Sequence, residues 1–365
     1  MITESTMDMM KEEISNQENA TIVAGVVTKH RREYLGFLNG EAFPANAGAG
    51  DVIFEIGSTT KTFTGLLLAK LVHEGIISLD EPVSRFHPEY KNALSCNGKE
   101  VTFRHLATHT SRLPREDMKT IRKLLKEDRT RKNNPYKDFM HEDLDQFFLN
   151  HKLKKDIGIK WGYSNIGIAL LADTLTDILK TPYEKAITEH ILHPLGMKDT
   201  FITLNDDRLE RYVKAYDKKG KRIPPIELPA INGAGAFKST INDMLTYLEH
   251  QIGLKENPLK DAIELSHRRQ TTAFKQIDMG LCWMIEDKKW ADEPIIHHGG
   301  TTVGFHTYCG FMKEKQIGVV IFSTVEIPLA RLLKIIAGLD DMVNGKIAQS
   351  IFKKYMIQSH SLEKE

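Results

Sequence analysis

The stretch FEIGSTTKTFTGLLLAKLVHEG, from Phe54 to Gly75, places a serine and a lysine at the head of an otherwise apolar helix. A helix start favours a serine cap and acidic residues in its first turn, because the free N–H groups there carry partial positive charge. Lys61 contradicts that preference. It stands three residues after Ser58, so on a helix the two side chains share a face and can meet. We interpret Lys61 as a proton acceptor for Ser58; the alternative is a capping serine beside a lysine that extends to solvent.

The composition indicates a globular chain with a large core and no pronounced charge. The chain has 365 residues, of which 41% are hydrophobic and 27% are charged. Lys and Arg (50) nearly balance Asp and Glu (49), so we expect neither nucleic acid nor a membrane as a partner. Residues 1–20 lack a basic segment followed by an apolar run, which predicts a cytoplasmic protein. The three cysteines are expected to be reduced thiols: Cys96, Cys282 and Cys309.

Strand-like segments occur at both ends of the chain. Residues 21–30 and 32–40, TIVAGVVTKH and REYLGFLNG, are typical of an antiparallel hairpin. Residues 279–287, 305–314 and 316–326 are strand-like as well, with glycine and charged turns between them. Helical periodicity dominates the sequence between these two groups. This order predicts an α/β fold with one antiparallel sheet, built from N- and C-terminal strands and flanked by helices, beside an all-helical lobe.

We expect a single catalytic domain over residues 1–365 with two lobes. The sheet lobe would comprise about 1–75 and 265–365, and the helical lobe about 76–264. Residues 115–138 are dense in charge and poor in large apolar side chains, which predicts an inserted segment. It is interpreted either as a solvated surface excursion or as a lid or docking surface over the Ser58 cleft, where its basic residues would attract an anionic acyl group or an acyl carrier.

A second chemical motif is WGYSNIG, residues 161–167, just before another apolar helix. Tyr163 and Asn165 lie in the turn, where a phenol and an amide can point to one place. A tyrosine beside a lysine can relay protons to a leaving group. The alternative is a buried aromatic residue followed by a helix cap.

A third motif is HHGGTTVGF, residues 297–305, which is rich in glycine and flanked by strand residues. Glycines on an edge strand allow a substrate to approach the backbone closely, and the N–H of Thr301 could face Ser58 across an oxyanion hole. His297 and His298 are adjacent in a strand and therefore point to opposite faces. His105 and His109, spaced four apart, lack a carboxylate signature. We predict no metal and no other cofactor.

The three motifs occur in order and the chain resembles the serine β-lactamase and penicillin-binding-protein-like superfamily, in its class C β-lactamase, D-peptidase and esterase branch. STTK at 58–61, YSN at 163–165 and HGG at 298–300 match the family's S-x-x-K, Y-x-N and lysine- or histidine-led glycine triplet. Further sequence segments that are similar to the family extend the resemblance over about residues 20–335.

The resemblance implies a β-lactamase/transpeptidase-like fold and an acyl-enzyme mechanism. Ser58 would be the nucleophile, with Lys61 and Tyr163 as general base and acid. The backbone N–H groups of Ser58 and Thr301 would hold the oxyanion. Asn165 would orient the substrate, which the glycine strand, including His298, Gly299 and Gly300, would also contact. Water or an alcohol would then accept the acyl group.

Two residues depart from the family pattern. His298 leads the triplet where β-lactamases and cell-wall peptidases usually have a lysine that pairs with a substrate carboxylate. A histidine is mostly neutral near pH 7, which makes penicillin or peptidoglycan a less favoured substrate. Arg112 replaces a glycine that is common in the family, so the backbone is expected to differ there.

These features lead us to expect a serine hydrolase that acts on an ester or amide of a small molecule. The first alternative is an acyltransferase of the same mechanism that moves an acyl group to a hydroxyl of a secondary metabolite such as a polyketide. A β-lactamase or D,D-peptidase is a further alternative. A relative without catalysis, used for binding or sensing, is disfavoured because all three motifs are retained.

Overall fold

A nine-stranded antiparallel sheet forms the centre of the protein. The computed structural model describes residues 2–17, 19–128, 134, 136–274, 276–327 and 342–362. The strands in the described residues are β1 (Ile22–Thr28), β2 (Arg31–Leu38), β3 (Glu41–Phe43), β4 (Ile53–Glu55), β5 (Ser95–Cys96), β6 (Lys99–Glu100), β7 (Lys238–Thr240), β8 (Thr271–Phe274), β9 (Ile277–Met279), β10 (Met284–Glu286), β11 (Ile295–Thr302), β12 (Phe305–Met312) and β13 (Ile317–Ser323). In the nine-stranded sheet they lie in the order β3-β2-β1-β13-β12-β11-β10-β9-β8.

The pairing of β1 with β13 joins two strands of this sheet that are far apart in the sequence. Ile22 lies opposite Ser323, and Thr28 lies opposite Ile317. The predicted hairpin is confirmed as β1–β2. The predicted α/β class, with one antiparallel sheet built from both ends of the chain, is therefore confirmed.

Helices cover both faces of the sheet and fill the middle of the chain. Their bounds are α1 (Glu4–Ile14), α2 (Thr60–His73), α3 (Lys91–Leu94), α4 (Phe103–Ala107), α5 (Met118–Glu127), α6 (His141–Asn150), α7 (Asn165–Leu179), α8 (Tyr183–Ile187), α9 (Asp206–Glu210), α10 (Ile241–Gln251), α11 (Lys260–His267) and α12 (Val343–Leu362). Short 3-10 turns include Gly57–Thr59 and Asn232–Ala234. None of the helices described here is both long and apolar enough to cross a bilayer.

Alternate residues of β1 enter two separate cores. Ile22 and Val26 contact one core with Ile351 of α12, whereas Val23 and Val27 belong to the larger core that contains α2 and α10. Side chains alternate between the faces of a strand, so a sheet covered on both sides shows a continuous apolar run. This explains why β1 and β13 are buried at every position.

The two-lobe division stays a prediction. Residues 115–138 begin as an ordered segment, because Asp117 accepts hydrogen bonds from Lys119 N and Thr120 N at the start of α5. Part of this predicted insertion, 129–133 and 135, lies outside the described residues. Residues 328–341 lie outside the described residues as well, and α12 follows them.

The sheet touches the start of α2 through backbone atoms at two glycines. A Cβ built on Gly57, whose φ is +48°, would lie 2.8 Å from Thr301 N. A Cβ built on Gly300 would lie 2.0 Å from Ile56 O. Neither distance can be reached by a real side chain, so this contact requires glycine on both sides.

Gly300→Ala is therefore expected to lower the free energy of unfolding by at least about 2 kcal/mol, because the new methyl group overlaps a backbone oxygen that cannot move aside. The neighbouring Gly299→Ala is the matched control, since its Cβ would have only Thr307 O within reach, at 3.5 Å. Urea unfolding of both variants measures the difference. Equal stability of the two variants would contradict the close backbone contact.

Candidate active site

Ser58 and Lys61 make the contact that the sequence spacing predicts. Lys61 Nζ donates a hydrogen bond of 3.0 Å to Ser58 Oγ. Ser58 lies in the 3-10 turn that precedes α2, and the helix itself begins two residues later at Thr60. Ser58 is therefore not the helix cap. Lys61 is fully buried, which contradicts the alternative of a lysine that extends to solvent.

A second hydrogen bond of Lys61 fixes its buried amino group. Its Nζ also donates to Ala234 O at 2.5 Å, in the 3-10 turn Asn232–Ala234. Both partners are neutral oxygens, and Lys61 forms no ion pair with a carboxylate in the part of the chain that the structure describes. Sequence reasoning missed Ala234, because a backbone carbonyl has no side-chain signature.

Tyr163 lies against the same lysine. Its ring centroid is 4.9 Å from Lys61 Nζ, a distance typical of a cation–π contact. The ring is held by the start of α7, where Ser164 Oγ accepts a hydrogen bond from Gly167 N at 2.8 Å. The same hydroxyl donates to Pro114 O. The turn thus fixes Tyr163 beside the Ser58–Lys61 pair.

Asn165 is the one predicted site residue whose amide is already engaged elsewhere. Its Nδ2 donates to Glu116 Oε1 at 3.2 Å, and its backbone N donates to Arg115 O at 2.9 Å. Its Oδ1 is buried and has no partner among the described residues. Asn165 does not line the cleft at Ser58, and its role in substrate orientation stays a prediction.

The glycine strand β11 forms the opposite wall. Thr301 N lies close to Gly57, so its backbone reaches the turn that carries Ser58. His298 is buried on the inner face, with its ring centroid 6.4 Å from that of Tyr163. His297 points to the outer face, where its Nε2 lies 3.5 Å from Glu286 Oε2. The strand thus separates the two histidines, as the sequence predicts.

The imidazole of His298 is neutral. Burial, followed by the nearby charge of Lys61, lowers its pKa to about 3. Nδ1 lies 2.7 Å from Gly299 O, and a carbonyl only accepts, so Nδ1 carries the proton and donates. Nε2 keeps its lone pair and is buried without a partner in the described chain. His298 therefore offers the site an acceptor rather than a positive charge.

His109 is a further buried histidine that the sequence did not assign to the site. Its ring centroid is 4.4 Å from that of Tyr163, and its Nδ1 accepts the N–H of Ser164 at 3.3 Å. Burial, with a smaller contribution from Lys61, lowers its pKa well below the usual value. Its backbone φ is +58° and it lies beyond the end of α4, whereas His105 Nδ1 contacts Thr102 at the start of that helix.

The described residues contain no group of three or more His, Cys, Asp or Glu side chains arranged to hold a metal ion.

Arg112 has a left-handed backbone conformation, which is more usual for glycine; whether the backbone differs from that of relatives stays a prediction. Its φ is +68°, which is strained for an arginine. Its guanidinium donates to Lys160 O at 3.0 Å, in the turn before Trp161 and Tyr163. This bond offsets part of the backbone strain and braces the turn.

An open cleft of about 520 Å³ connects these parts. Its lining includes Ser58, Tyr163, His298, Gly299, Gly300 and Thr301, together with Arg115 and Trp161, which the sequence did not single out, and it extends to His297 and Lys288. The cleft exposes the serine hydroxyl, while the lysine beside it is sealed from solvent. Such an arrangement can present a nucleophile to a carbonyl group and hold the displaced proton close by.

Comparisons with known proteins point to one family. A family model described as "Beta-lactamase" matches residues 12–336. The chain is 30% identical to the D-alanyl-D-alanine-carboxypeptidase/endopeptidase AmpH of Escherichia coli (strain K12) over 308 residues, covering 80% of this chain and 76% of that protein. It is 24% identical to a beta-lactamase of Pseudomonas fluorescens, covering 91% and 95%.

A solved structure agrees on the fold. The class C beta lactamase from Rhodobacter sphaeroides superimposes with a TM-score of 0.74 at 20% identity, covering 96% of this chain and 100% of the other. At this identity the likeness concerns the fold alone.

The neutrality of His298 can be tested by the pH dependence of activity. The pKa of His298 is about 3, well below the usual histidine pKa of about 6.5. The ring is therefore neutral between about pH 5 and about pH 9 and does not titrate in that range. We expect His298→Gln to lower kcat/KM while the inflection points of its pH profile stay in place. His297→Gln, on the other face of β11, controls for local disturbance of the strand. The disappearance of an inflection near the usual histidine pKa in His298→Gln alone would contradict this assignment.

Proposed function

The chain belongs to the β-lactamase family, and on that premise we propose that it hydrolyses an ester or amide of a small molecule through an acyl-enzyme on Ser58. Members of this family are serine hydrolases that act through an acyl-enzyme intermediate. The observation that carries the proposal is the 3.0 Å contact between Lys61 Nζ and Ser58 Oγ, with the lysine fully buried.

Acylation begins with the attack of Ser58 Oγ on the substrate carbonyl carbon. As the new C–O bond forms, the hydroxyl proton passes to Lys61 in its amine form, because this is the basic group within hydrogen-bond distance. Ala234 O keeps the lysine side chain in place during the transfer. The fixed geometry converts proton removal into a step between two neighbouring atoms.

The carbonyl oxygen acquires negative charge in the transition state. We assign the oxyanion hole to the backbone N–H groups of Ser58 and Thr301. The contact of Gly57 with Thr301 N supports this assignment, since it places the serine turn and β11 side by side. Preorganised backbone donors of this kind stabilise the developing charge without reorganisation at the moment of reaction.

Departure of the leaving group requires a proton, and Tyr163 is the residue placed to relay it. Its ring lies against Lys61 on one side and faces the cleft on the other. A water molecule then attacks the acyl-enzyme and loses its proton by the reverse route, which releases the acid and restores Ser58. His298 contributes a neutral acceptor at the inner wall.

A D-alanyl-D-alanine carboxypeptidase is the second candidate. The 30% identity to AmpH over 80% of the chain favours it. The neutral His298 weighs against the usual route to such substrates, because an uncharged imidazole cannot pair with a carboxylate. An acyltransferase would use the same Ser58 chemistry with an alcohol in place of water; no contact in the described chain favours it. The cytoplasmic location stays a prediction.

Intact-mass measurement after mixing with p-nitrophenyl esters, thioesters and a penicillin tests the acyl-enzyme directly. We expect an adduct with the mass of the acyl group in the wild type and none in Ser58→Ala. Each donor is measured with and without added alcohols. Decay of the adduct in water supports a hydrolase, decay only with alcohol supports a transferase, and no adduct with any donor contradicts the proposal.

Removal of the proposed base gives a second test. Lys61→Ala is expected to lower kcat by about 10²- to 10⁴-fold, the usual contribution of a positioned acid–base group. Lys70→Ala is the matched control, since Lys70 lies on the same helix but pairs with Glu74 rather than with Ser58. Turnover of the same ester is compared in both variants. Near-normal turnover in Lys61→Ala would exclude the assigned role.

A further inference from the structure

A buried carboxylate connects the elements that flank the proposed oxyanion hole, and the reaction steps above give it no role. Glu55 is the last residue of β4 and stands three residues before Ser58. Only 1% of its surface is exposed. Burial of a charged group is costly unless hydrogen bonds satisfy it. The partners of Glu55 therefore indicate what this carboxylate does.

The two oxygens of Glu55 hold different parts of the chain. Oε1 accepts hydrogen bonds from Tyr212 Oη at 2.6 Å and from Ile226 N at 2.6 Å. Oε2 accepts a hydrogen bond from the hydroxyl of Thr302, the last residue of β11. Thr302 directly follows Thr301, whose N–H is assigned to the oxyanion hole. Glu55 thus links the segment that carries the nucleophile to the strand that carries the second proposed donor.

The carboxylate of Glu55 is itself held in place by further buried groups. Lys238 lies opposite Glu55 in the pairing of β4 with β7, and it is buried as well. Its Nζ donates at 3.1 Å to Ile226 O, while Ile226 N donates to Glu55. A carboxylate within such a network keeps its position, because any shift would leave buried polar groups unpaired. Glu55 is therefore a fixed anchor for the hydroxyl of Thr302.

The glycine contact described above does not provide this link by itself. The approach of Gly300 to Ile56 O limits how near the two segments can come, but a steric contact does not prevent them from moving apart. Thr307 Oγ1 donates to Ile56 O at 3.0 Å and ties the turn to β12. The bond from Thr302 to Glu55 ties β11 itself. It resists separation, because its loss would leave a buried charged acceptor with one donor fewer.

We propose that Glu55 acts through Thr302 as a positioning residue, which sets the separation of the two backbone donors of the oxyanion hole. This inference rests on the proposed function and adds a residue that does not touch the substrate. Negative charge develops on the substrate oxygen in the transition state, so a displaced donor weakens binding of the transition state more than binding of the substrate. Loss of the link should therefore lower kcat and leave KM nearly unchanged.

Thr302→Val and Thr302→Ser test this role, because valine keeps the shape of threonine without its hydroxyl, whereas serine keeps the hydroxyl. With p-nitrophenyl acetate, we expect kcat of Thr302→Val to fall about 10- to 100-fold, the usual effect of a small displacement in an active site. KM should change by less than about threefold. Thr302→Ser should recover the wild-type kcat.

Inhibition by phenylboronic acid gives a second readout. Ser58 Oγ adds to the trigonal boron and forms a tetrahedral anion, which resembles the transition state and depends on the same two donors. The inhibition constant should therefore rise in Thr302→Val by about the factor by which kcat falls. In Glu55→Gln combined with Thr302→Val, kcat should be no lower than in the less active single variant, because both changes break one link.

Tyr212→Phe is the matched control, since it removes another hydroxyl donor to the same carboxylate without touching β11. Its resistance to urea should fall about as much as that of Thr302→Val, while its kcat stays within about threefold of the wild type. This comparison separates the loss of a buried hydrogen bond from the displacement of an oxyanion donor.

Four results would each overturn the inference: a wild-type kcat in Thr302→Val, a change confined to KM, an unchanged inhibition constant for the boronic acid, or an equal loss of kcat in Tyr212→Phe. In each case, wild-type turnover that is lost in Ser58→Ala would still support the proposed function. Absence of Ser58-dependent turnover in the wild type would count against both.

Discussion

The structure depends on the contact of two backbone segments, the turn at Ile56 and Gly57 and the strand residues Gly300 and Thr301. No side chain can enter this contact, so the two segments lie at a distance set by their main-chain atoms. The buried carboxylate of Glu55 stabilises it from behind, since it accepts hydrogen bonds from Thr302 and from Tyr212 Oη. Burial raises the pKa of this carboxyl group. The nucleophile and the proposed oxyanion donors are thus part of one rigid junction.

Electrostatics around this junction follow one pattern. His109 and His298 flank Tyr163, and burial lowers the pKa of both, so neither adds a positive charge to the interior. Lys61 is the buried basic group that contacts the nucleophile, and its bonds are to neutral oxygens. A proton removed from Ser58 therefore has one close destination. The guanidinium carbon of Arg115 lies 5.2 Å from the centroid of the same tyrosine ring.

The sequence predicted the parts of the site that depend on local spacing. The Ser58–Lys61 contact follows from a three-residue separation, and the β1–β2 hairpin follows from two short apolar runs around a polar turn. Long-range backbone contacts could not be predicted, and Ala234 O is the clearest case. His109 was interpreted together with His105 at helical spacing, yet α4 ends at Ala107 and a positive φ reorients His109.

The pairing of β1 with β13 has a consequence for folding during synthesis. Ile22 cannot meet its partner Ser323 until all the residues between them have left the ribosome. Until β13 is available, the β1–β2 hairpin exposes apolar side chains on both faces. This exposure promotes association with other nascent chains. Sequence-distant strand pairing is slow because loop closure precedes any gain in contacts. Folding of this chain should therefore be limited by the arrival of its last strands, and a chaperone that shields the early hairpin should raise the yield.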